Sequence, residues 1–370
     1  MTEIYTVTVE PVGREIECRA DQDILDACLR AGVWVPHSCT HGTCGTCKAE
    51  VLDGDVDHGD SSAFALMDFE RDEGKLLLCC AKPRSDVVIE AEVDVDDEAT
   101  VHPVTDYTGT VLSIEDVALD TRRVRLELDR DLAFNPGQYM SWHLGAQPGR
   151  SARPGESDAG VTRTYSMANA PSQPRILEFQ IRKVAGGVCS DAWVFGDPAS
   201  GGLAVGDEVP LTGPYGRFVL RPSRPEPIVM IAGGTGLAPI ASMIRTALLD
   251  GAGNSRITLY QGARTREWCY DVELFQSLAA EHPDRFVYRP CLSEQELDGF
   301  AFGTVTDVMA ADHATLAGHV AYVCGPPGMV DAALKTLMAK RLFPRDIYRE
   351  EFLNSGDRAA GAVRSPLIKR

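Results

Sequence analysis

The chain has 370 residues, which is long for one domain and sufficient for two or three. Its opening sequence, MTEIYTVTVE, lacks the basic and apolar regions of a signal peptide, and no apolar run approaches the roughly 20 residues of a membrane span, so we expect a cytoplasmic protein with no membrane segment. Its 54 Asp and Glu outnumber its 36 Lys and Arg, and the net charge of −18 argues against nucleic acid as a partner.

The first hundred residues contain 23 Asp and Glu but only 8 Lys and Arg. This acidity indicates either a need for solubility or a docking face for a basic protein partner. Alternating apolar positions predict strands in IYTVTVE and REIECR, followed by a helix with Asp21 or Asp23 as its N-cap and Gly32 as its stop. Beyond a cysteine-rich loop, we predict a strand in KAEVLDG, a helix in SSAFALMDFERDEG, and strands in KLLLCC and VVIEAEV.

Two further segments follow an acidic stretch, residues 93–106, which offers little apolar surface and is predicted to be a linker. Residues 106–222 contain short alternating segments such as RRVRLELD and ILEFQIR, which are typical of an antiparallel barrel. Within them, residues 145–160 are predicted to form an inserted loop. Farther along, strands are predicted to alternate with helices, the pattern of a parallel α/β sheet, in PIVMIA, RITLYQGA, RFVYRPCL, HVAYVCG and RDIYREEF.

The spacing of four cysteines indicates an iron–sulfur cluster. The loop SCTHGTCGTC carries three of them with two glycines in between, and the fourth follows after 31 further residues: Cys39, Gly42, Cys44, Gly45, Cys47 and Cys79. This is the spacing of plant-type [2Fe–2S] ferredoxins, whereas zinc ligands usually come as two separated C-x2-C pairs. Eleven cysteines, an odd number, also favour metal and packing roles over disulfides. The alternatives to a cluster are a zinc site or free thiols, and the alternative fourth ligand is Cys80 in place of Cys79.

The barrel segment contains two motifs suited to a flavin. In Arg163-Thr164-Tyr165-Ser166, the arginine can pair with a pyrophosphate, the tyrosine ring can cover an isoalloxazine and the serine hydroxyl can reach its N5 edge. Gly186-Gly187-Val188-Cys189-Ser190 precedes the predicted helix SDAWVF, and a helix start suits phosphate. Each motif alone is also compatible with an ordinary strand or turn.

The α/β segment contains two motifs at one predicted sheet edge. Gly233-Gly234-Thr235-Gly236 ends a buried strand and opens a helix, so a pyrophosphate can approach its backbone. Cys324-Gly325-Pro326-Pro327-Gly328-Met329 follows another buried strand. Cofactors bind beyond the carboxyl ends of parallel strands, so Cys324 is interpreted as a nicotinamide contact, with core packing as the alternative.

The order of R-T-Y-S, G-G-V-C-S, G-G-T-G-L-A-P, C-G-P-P-G-M and a late E-E-F resembles the ferredoxin–NADP⁺ reductase superfamily, preceded by a plant-type ferredoxin domain. GTCGTCKAEV, FALMDFERDEGKLLLCCA, TLYQGAR and AYVCGPPGMVDAA are more similar to the reductase components of soluble di-iron multicomponent monooxygenases, especially phenol hydroxylases. The resemblance implies a multidomain α+β and α/β protein made of a β-grasp [2Fe–2S] ferredoxin domain (1–98), a linker (99–105), an antiparallel β-barrel FAD domain (106–222), a parallel-sheet Rossmann-like NAD domain (223–353) and a C-terminal tail (354–370).

The resemblance also implies the site residues. The cluster ligands are Cys39, Cys44, Cys47 and Cys79. The FAD contacts are Arg163, Tyr165, Ser166, Gly187, Val188 and Ser190, and the dinucleotide contacts are Gly233, Gly234, Thr235 and Gly236. The groups beside the reacting rings are Cys324, Ser166, Glu350 and Phe352.

The implied activity is electron transfer from NADH through FAD and the [2Fe–2S] cluster to a di-iron hydroxylase that acts on phenol or a small hydrocarbon and docks on the acidic ferredoxin face. The alternative is the reductase of a Rieske ring-hydroxylating dioxygenase. We expect a monomer. We also expect NADH rather than NADPH, because GARTREWCY resembles the stretch in NADH-using reductases, although Arg264, Thr265 and Arg266 could bind a 2′-phosphate.

Overall fold

The computed structural model describes residues 2–37, 40, 42–93, 98–144 and 160–352. The predicted C-terminal tail and nearly all of the predicted inserted loop lie outside these ranges. The chain forms two compact units, residues 1–105 and 106–370. The boundaries of the three domains remain predictions. No helix in the described ranges is both long and apolar enough to cross a membrane.

The first unit has a mixed five-stranded sheet with the order β2-β1-β7-β3-β5, in which β1 and β7 are parallel and the other neighbours antiparallel. Its elements are β1 (Ile4–Glu10), β2 (Arg14–Arg19), α1 (Ile24–Arg30), β3 (Lys48–Asp53), the short strand β4 (Val56–Asp57), α2 (Asp68–Asp72), β5 (Lys75–Leu77), the short strand β6 (Lys82–Pro83) and β7 (Val87–Glu90). Helix α1 begins after Asp23, as predicted.

Helix α2 is shorter than the sequence pattern predicts. The preceding residues form a turn in which the N–H groups of Ala65 and Leu66 donate to the Ser62 carbonyl. This turn buries both side chains, and the helix begins after Met67, its N-cap.

In the second unit, residues up to Tyr215 form the predicted antiparallel barrel. Its strands are β8 (Thr105–Ala118), β9 (Thr121–Leu128), β10 (Tyr139–Leu144), β11 (Val161–Ser166), β12 (Ile176–Arg182) and β13 (Glu208–Tyr215), in the order β11-β10-β13-β8-β9-β12. Met167, directly after β11, bridges to Phe179 of β12, so the two edge strands meet and the sheet closes. Val124 and Leu126, which alternate along β9, pack into the core with Trp142 and Phe179.

The rest of the second unit is a parallel six-stranded sheet with the order β17-β16-β15-β14-β18-β19. Its elements are β14 (Ile228–Gly233), α3 (Leu237–Leu248), β15 (Ile257–Ala263), α4 (Val272–Glu281), β16 (Phe286–Leu292), β17 (Ala301–Phe302), α5 (Val305–Asp312), β18 (Val320–Gly325), α6 (Pro327–Ala339) and β19 (Ile347–Glu351). Helices cover both faces: Met230 packs with α3 and α4, and its neighbour Ile231 with α5 and α6. This is the predicted α/β domain.

Candidate functional site

Three of the four predicted cluster ligands lie in the described part of the chain. Cys47 and Cys79 are buried, and a hydrogen bond with Cys79, together with burial, raises the pKa of the Cys47 thiol. The exposed Cys44 thiol lies 3.2 Å from the Thr46 hydroxyl. Cys39 lies outside the described residues, among which no three His, Cys, Asp or Glu side chains gather at metal-binding distances. The hydrogen bond between their thiols shows that the structure brings Cys47 and Cys79 together.

Gly42 and Gly45 allow the cysteine loop to fold tightly. Both have positive φ angles, 76° and 69°. A Cβ atom on Gly42 would lie 2.6 Å from the Cys80 sulfur and 3.1 Å from Ser61 Cα, so a larger side chain does not fit. A tightly wrapped loop whose donors are thiols fits an iron–sulfur cluster, because its backbone N–H groups can approach the cluster sulfurs.

The predicted flavin strand, β11, is an edge strand paired with β10. Arg163 lies opposite Trp142, and Ser166 opposite Tyr139. The Arg163 side chain is exposed, whereas Ser166 is buried at the strand end. The Tyr165 hydroxyl donates to the Cys189 sulfur at 3.0 Å, and burial is the main reason that its pKa is well above the usual value. This contact joins the strand to the second predicted flavin motif, so the structure places both motifs together.

The second flavin motif is a glycine turn followed by a short helix, Ser190–Val194. Gly186 has a φ of 72°, and its N–H donates to the Asp191 carboxylate at 2.9 Å. A Cβ on Gly187 would lie 2.7 Å from the Ser190 hydroxyl, which itself accepts the Val184 N–H. Position 187 therefore has room for backbone alone, and this fits a site where a pyrophosphate approaches the main chain.

The predicted dinucleotide residues meet at the carboxyl edge of the parallel sheet. Ala232, just before the glycine turn, pairs with Cys324, and Cys324 pairs with Glu350. A Cβ on Gly236 would overlap the Cys324 carbonyl, whereas Gly234, with a φ of 56°, has nothing within 4 Å of its Cβ position. This open backbone at a helix start fits a dinucleotide pyrophosphate.

Cys324 and Phe352 occupy the same edge. Burial, and then the charge of Glu350, raises the pKa of the Cys324 thiol well above its usual value, so the thiol is protonated at neutral pH. The Phe352 N–H donates to the Gly325 carbonyl at 3.0 Å, and its half-buried ring packs against the core shared by α3 and α4. The structure therefore places Cys324, Glu350 and Phe352 around the end of β18.

The end of β15 carries the two arginines that could read a 2′-phosphate. The Arg266 guanidinium forms an ion pair with Glu273 at 2.8 Å and also donates to the Cys269 carbonyl. The exposed Arg264 guanidinium lies 4.7 Å from the centre of the Trp268 ring. The Arg266 guanidinium is therefore already paired with a carboxylate, whereas the Arg264 guanidinium stacks on an aromatic ring.

Sequence reasoning missed Tyr270, whose hydroxyl donates to the Gly234 carbonyl at 3.0 Å. It also missed the stacked rings of Tyr139 and Tyr215, whose centres are 5.7 Å apart beside Ser166. Tyr215 lies in the turn-type sequence G-P-Y-G at residues 213–216, whereas no local pattern marked Tyr270. The partners come together through tertiary contacts.

Three segments of the chain match described families. Residues 7–84 match the 2Fe-2S iron-sulfur cluster binding domain, residues 108–220 the oxidoreductase FAD-binding domain and residues 230–335 the oxidoreductase NAD-binding domain. The chain is 45% identical, over 99% of both proteins, to the phenol hydroxylase P5 protein of Acinetobacter pittii (strain PHEA-2). It is also 45% identical, again over 99% of both, to the phenol 2-monooxygenase reductase component DmpP of Pseudomonas sp. (strain CF600).

The chain belongs to the family of FAD- and [2Fe–2S]-containing oxygenase reductases. The predicted fold, reductase activity and cofactor classes are thereby confirmed. Among solved structures, the Amycolatopsis cytochrome P450 reductase GcoB matches this reductase with a TM-score of 0.81 and 40% identity, covering 94% of this chain and 98% of that one. The individual site residues of the reductase remain predictions.

We predict that Cys79→Ser loses the cluster and Cys80→Ser retains it. The two thiols lie 3.8 Å apart, but Cys79 is the one that contacts Cys47, whereas Cys80 lies against Gly42. Iron content and visible absorbance of the purified variants measure the difference. Retention of iron in Cys79→Ser together with its loss in Cys80→Ser would show that Cys80 is the ligand.

Proposed function

We propose that this reductase supplies electrons from NADH to the di-iron hydroxylase of a phenol monooxygenase in the cytoplasm, and that it acts as a monomer. The observation that carries the proposal is the full-length similarity to two relatives named for phenol hydroxylation. Three features of the same chain support it. They are a tight cysteine loop, two predicted flavin motifs in contact with each other, and a predicted dinucleotide turn beside the buried Cys324 thiol.

A bound flavin would supply the exchange of both one and two electrons, so that it could take a hydride from NADH and give up the two electrons one at a time to the cluster, with the proton released to solvent. The chain holds the reactants in place. Arg163 provides an exposed guanidinium for the flavin pyrophosphate, and the turn Gly187, Val188 and Ser190 provides backbone for the same group. Tyr165 and Ser166 lie at the end of the strand where the flavin ring is proposed to bind.

At the other side of the reaction, Gly233, Gly234, Thr235 and Gly236 present the backbone to the NADH pyrophosphate. Cys324 is a neutral, polarisable contact for the nicotinamide, since its buried thiol stays protonated. Glu350 and Phe352 complete the edge beside that ring. None of these groups needs to change its charge during the reaction.

We propose a preference for NADH because the Arg266 guanidinium is already paired with the Glu273 carboxylate. The Glu273 carboxylate neutralises Arg266 and would repel a 2′-phosphate at the end of β15. Arg264 is left to bind such a phosphate from a stacked position on Trp268, and the exposed Arg182 guanidinium lies 5.1 Å from the centre of the same ring.

We predict that kcat/KM is about tenfold or more higher for NADH than for NADPH, a difference of about 1.4 kcal/mol. Glu273→Gln should raise kcat/KM for NADPH and leave that for NADH unchanged, because it frees Arg266 from its carboxylate. Glu281→Gln, on the same helix, is the matched control. A wild-type preference for NADPH would contradict the proposal and would mean that Arg264 or Arg266 reads the phosphate.

The proposed docking face for the hydroxylase lies beside the cysteine loop. The Ser62 N–H donates to the Gly42 carbonyl, and the Ala65 carbonyl lies 3.5 Å from where a Gly45 Cβ would be, so residues 62–65 cover the loop. Within residues 62–65, the Phe64 side chain projects into solvent with 95% of its surface exposed. Met67 and Phe69, a few residues further along the chain, are also exposed. Five carboxylates and one arginine lie within residues 60–73. An exposed aromatic ring within an acidic rim suits a protein partner with an apolar pocket and a basic surround.

We predict that Phe64→Ala raises the KM for a phenol hydroxylase by about tenfold or more, the loss of a typical aromatic contact at an interface. NADH–ferricyanide and cytochrome c reduction should not change, since the variant alters neither the flavin sites nor the cluster ligands. Phe302→Ala, an exposed phenylalanine of β17, is the matched control. Equal effects of the two substitutions would exclude this face.

The function itself is tested by reconstitution. We expect the purified reductase, NADH and a di-iron phenol hydroxylase to form hydroxylated product in proportion to the NADH consumed. The same assay with a Rieske dioxygenase and with a cytochrome P450 tests the other oxygenase classes. Product formation with one of these and none with the di-iron enzyme would contradict the proposal.

A further inference from the structure

The barrel and the parallel sheet of the second unit meet at a junction of four buried charges. Arg123 of β9 forms an ion pair with Asp271, and Arg245 of α3 forms one with Glu178 of β12 at 2.9 Å. Arg123 also lies 3.6 Å from Glu178, so the two pairs form one network. All four side chains are largely buried. Each ion pair has one partner in the barrel and one in the parallel-sheet half.

One side of the junction reaches the predicted flavin strand. The Arg245 guanidinium donates to the Ala168 carbonyl at 2.7 Å, and the Ser242 hydroxyl donates to the Asn169 carbonyl at 2.7 Å. Ala168 and Asn169 come two and three residues after Ser166, and both donors lie on α3, which begins directly after Gly236. A single rigid helix therefore joins the end of the flavin strand to the dinucleotide turn.

The other side of the junction reaches the same turn by a second route. Tyr270, fully buried, donates its hydroxyl to the Gly234 carbonyl. The next residue, Asp271, has a φ of 58° and is the partner of Arg123. The ion pair between barrel and sheet thus fixes the residue adjacent to the one that holds Gly234.

We propose that Arg245 and Arg123 are positioning residues that set the distance and orientation of the flavin relative to the nicotinamide. This inference rests on the proposed binding of both cofactors, and not on the identity of the oxygenase. Apolar contacts alone let two lobes slide, whereas ion pairs with directional hydrogen bonds fix one arrangement. Hydride transfer depends steeply on that arrangement, because the reacting atoms must approach closely and in line.

The test compares Arg245→Met with Arg285→Met in the full-length enzyme. Arg285 also donates to backbone carbonyls, those of Ala247 and Gly253, but both acceptors lie within the parallel-sheet half. In stopped-flow experiments at saturating NADH, Arg245→Met should reduce its flavin roughly tenfold to a hundredfold more slowly than wild type. Arg285→Met should keep the wild-type rate per bound flavin, even if its melting temperature falls.

Three further readouts separate positioning from a structural role. Arg245→Met should show weaker long-wavelength charge-transfer absorbance when NAD⁺ is added to the chemically reduced enzyme, and an altered isotope effect with 4-deuterated NADH. Arg245→Lys should restore much of the rate, since an ammonium group can still donate to both acceptors. Ser242→Ala removes only the bond to Asn169 and should shift the rate in the same direction without affecting folding.

The proposal is overturned if Arg245→Met and Ser242→Ala reduce bound flavin at the wild-type rate. It is also overturned if their rate falls only in proportion to lost FAD, with unchanged charge-transfer absorbance. Flavin reduction by NADH needs no oxygenase, so failure of the phenol monooxygenase proposal leaves this result interpretable.

Discussion

The parallel register of three strands, β14, β18 and β19, determines what the second unit can bind. Parallel strands end at the same edge, so the pairing of Ala232 with Cys324 and of Cys324 with Glu350 brings a glycine turn, a thiol and a carboxylate to one place. The close approach of Gly236 to the Cys324 carbonyl then leaves no space for a side chain at position 236. Burial at the same point keeps the Cys324 thiol neutral.

Buried charges are expensive, and the junction between barrel and sheet contains four of them. Replacing a buried ion pair by apolar residues often costs nothing or stabilises a protein, so stability alone does not account for such a network. Arg245 contacts the segment that follows the predicted flavin strand, and Asp271 directly follows Tyr270, whose hydroxyl bonds to the predicted dinucleotide turn. Directional contacts at this position are consistent with a reaction that depends on the relative placement of two rings.

The first unit follows a different constraint, the close packing of a cysteine loop. Positive φ angles at Gly42 and Gly45 let Ser61 and Ala65 lie directly against these two glycines, and the exposed Phe64 belongs to the same segment. The same hundred residues carry nearly all of the excess negative charge of the chain. Long-range charge and a local aromatic contact act at different distances, the first on encounter and the second on the bound complex.

The sequence by itself determined the features that are local along the chain. The cysteine spacing predicted the iron–sulfur cluster, and the strand patterns predicted the barrel and the parallel sheet, because each depends on a few neighbouring residues. The β-grasp domain and the flavin and nicotinamide cofactors were implied by the resemblance that the order of the motifs carries. The helix predicted in SSAFALMDFERDEG was too long at its start. Leu66 is buried in a turn by packing and not as part of a helical face, and α2 begins only after Met67. Only the tertiary structure showed that the Tyr270 hydroxyl bonds to the Gly234 carbonyl and that Glu273 forms an ion pair with Arg266. It also showed that Arg245 of α3 donates a hydrogen bond to the barrel at Ala168. These contacts join residues on separate elements, and neither composition nor periodicity along the chain encodes which side chains will meet across a packed interface.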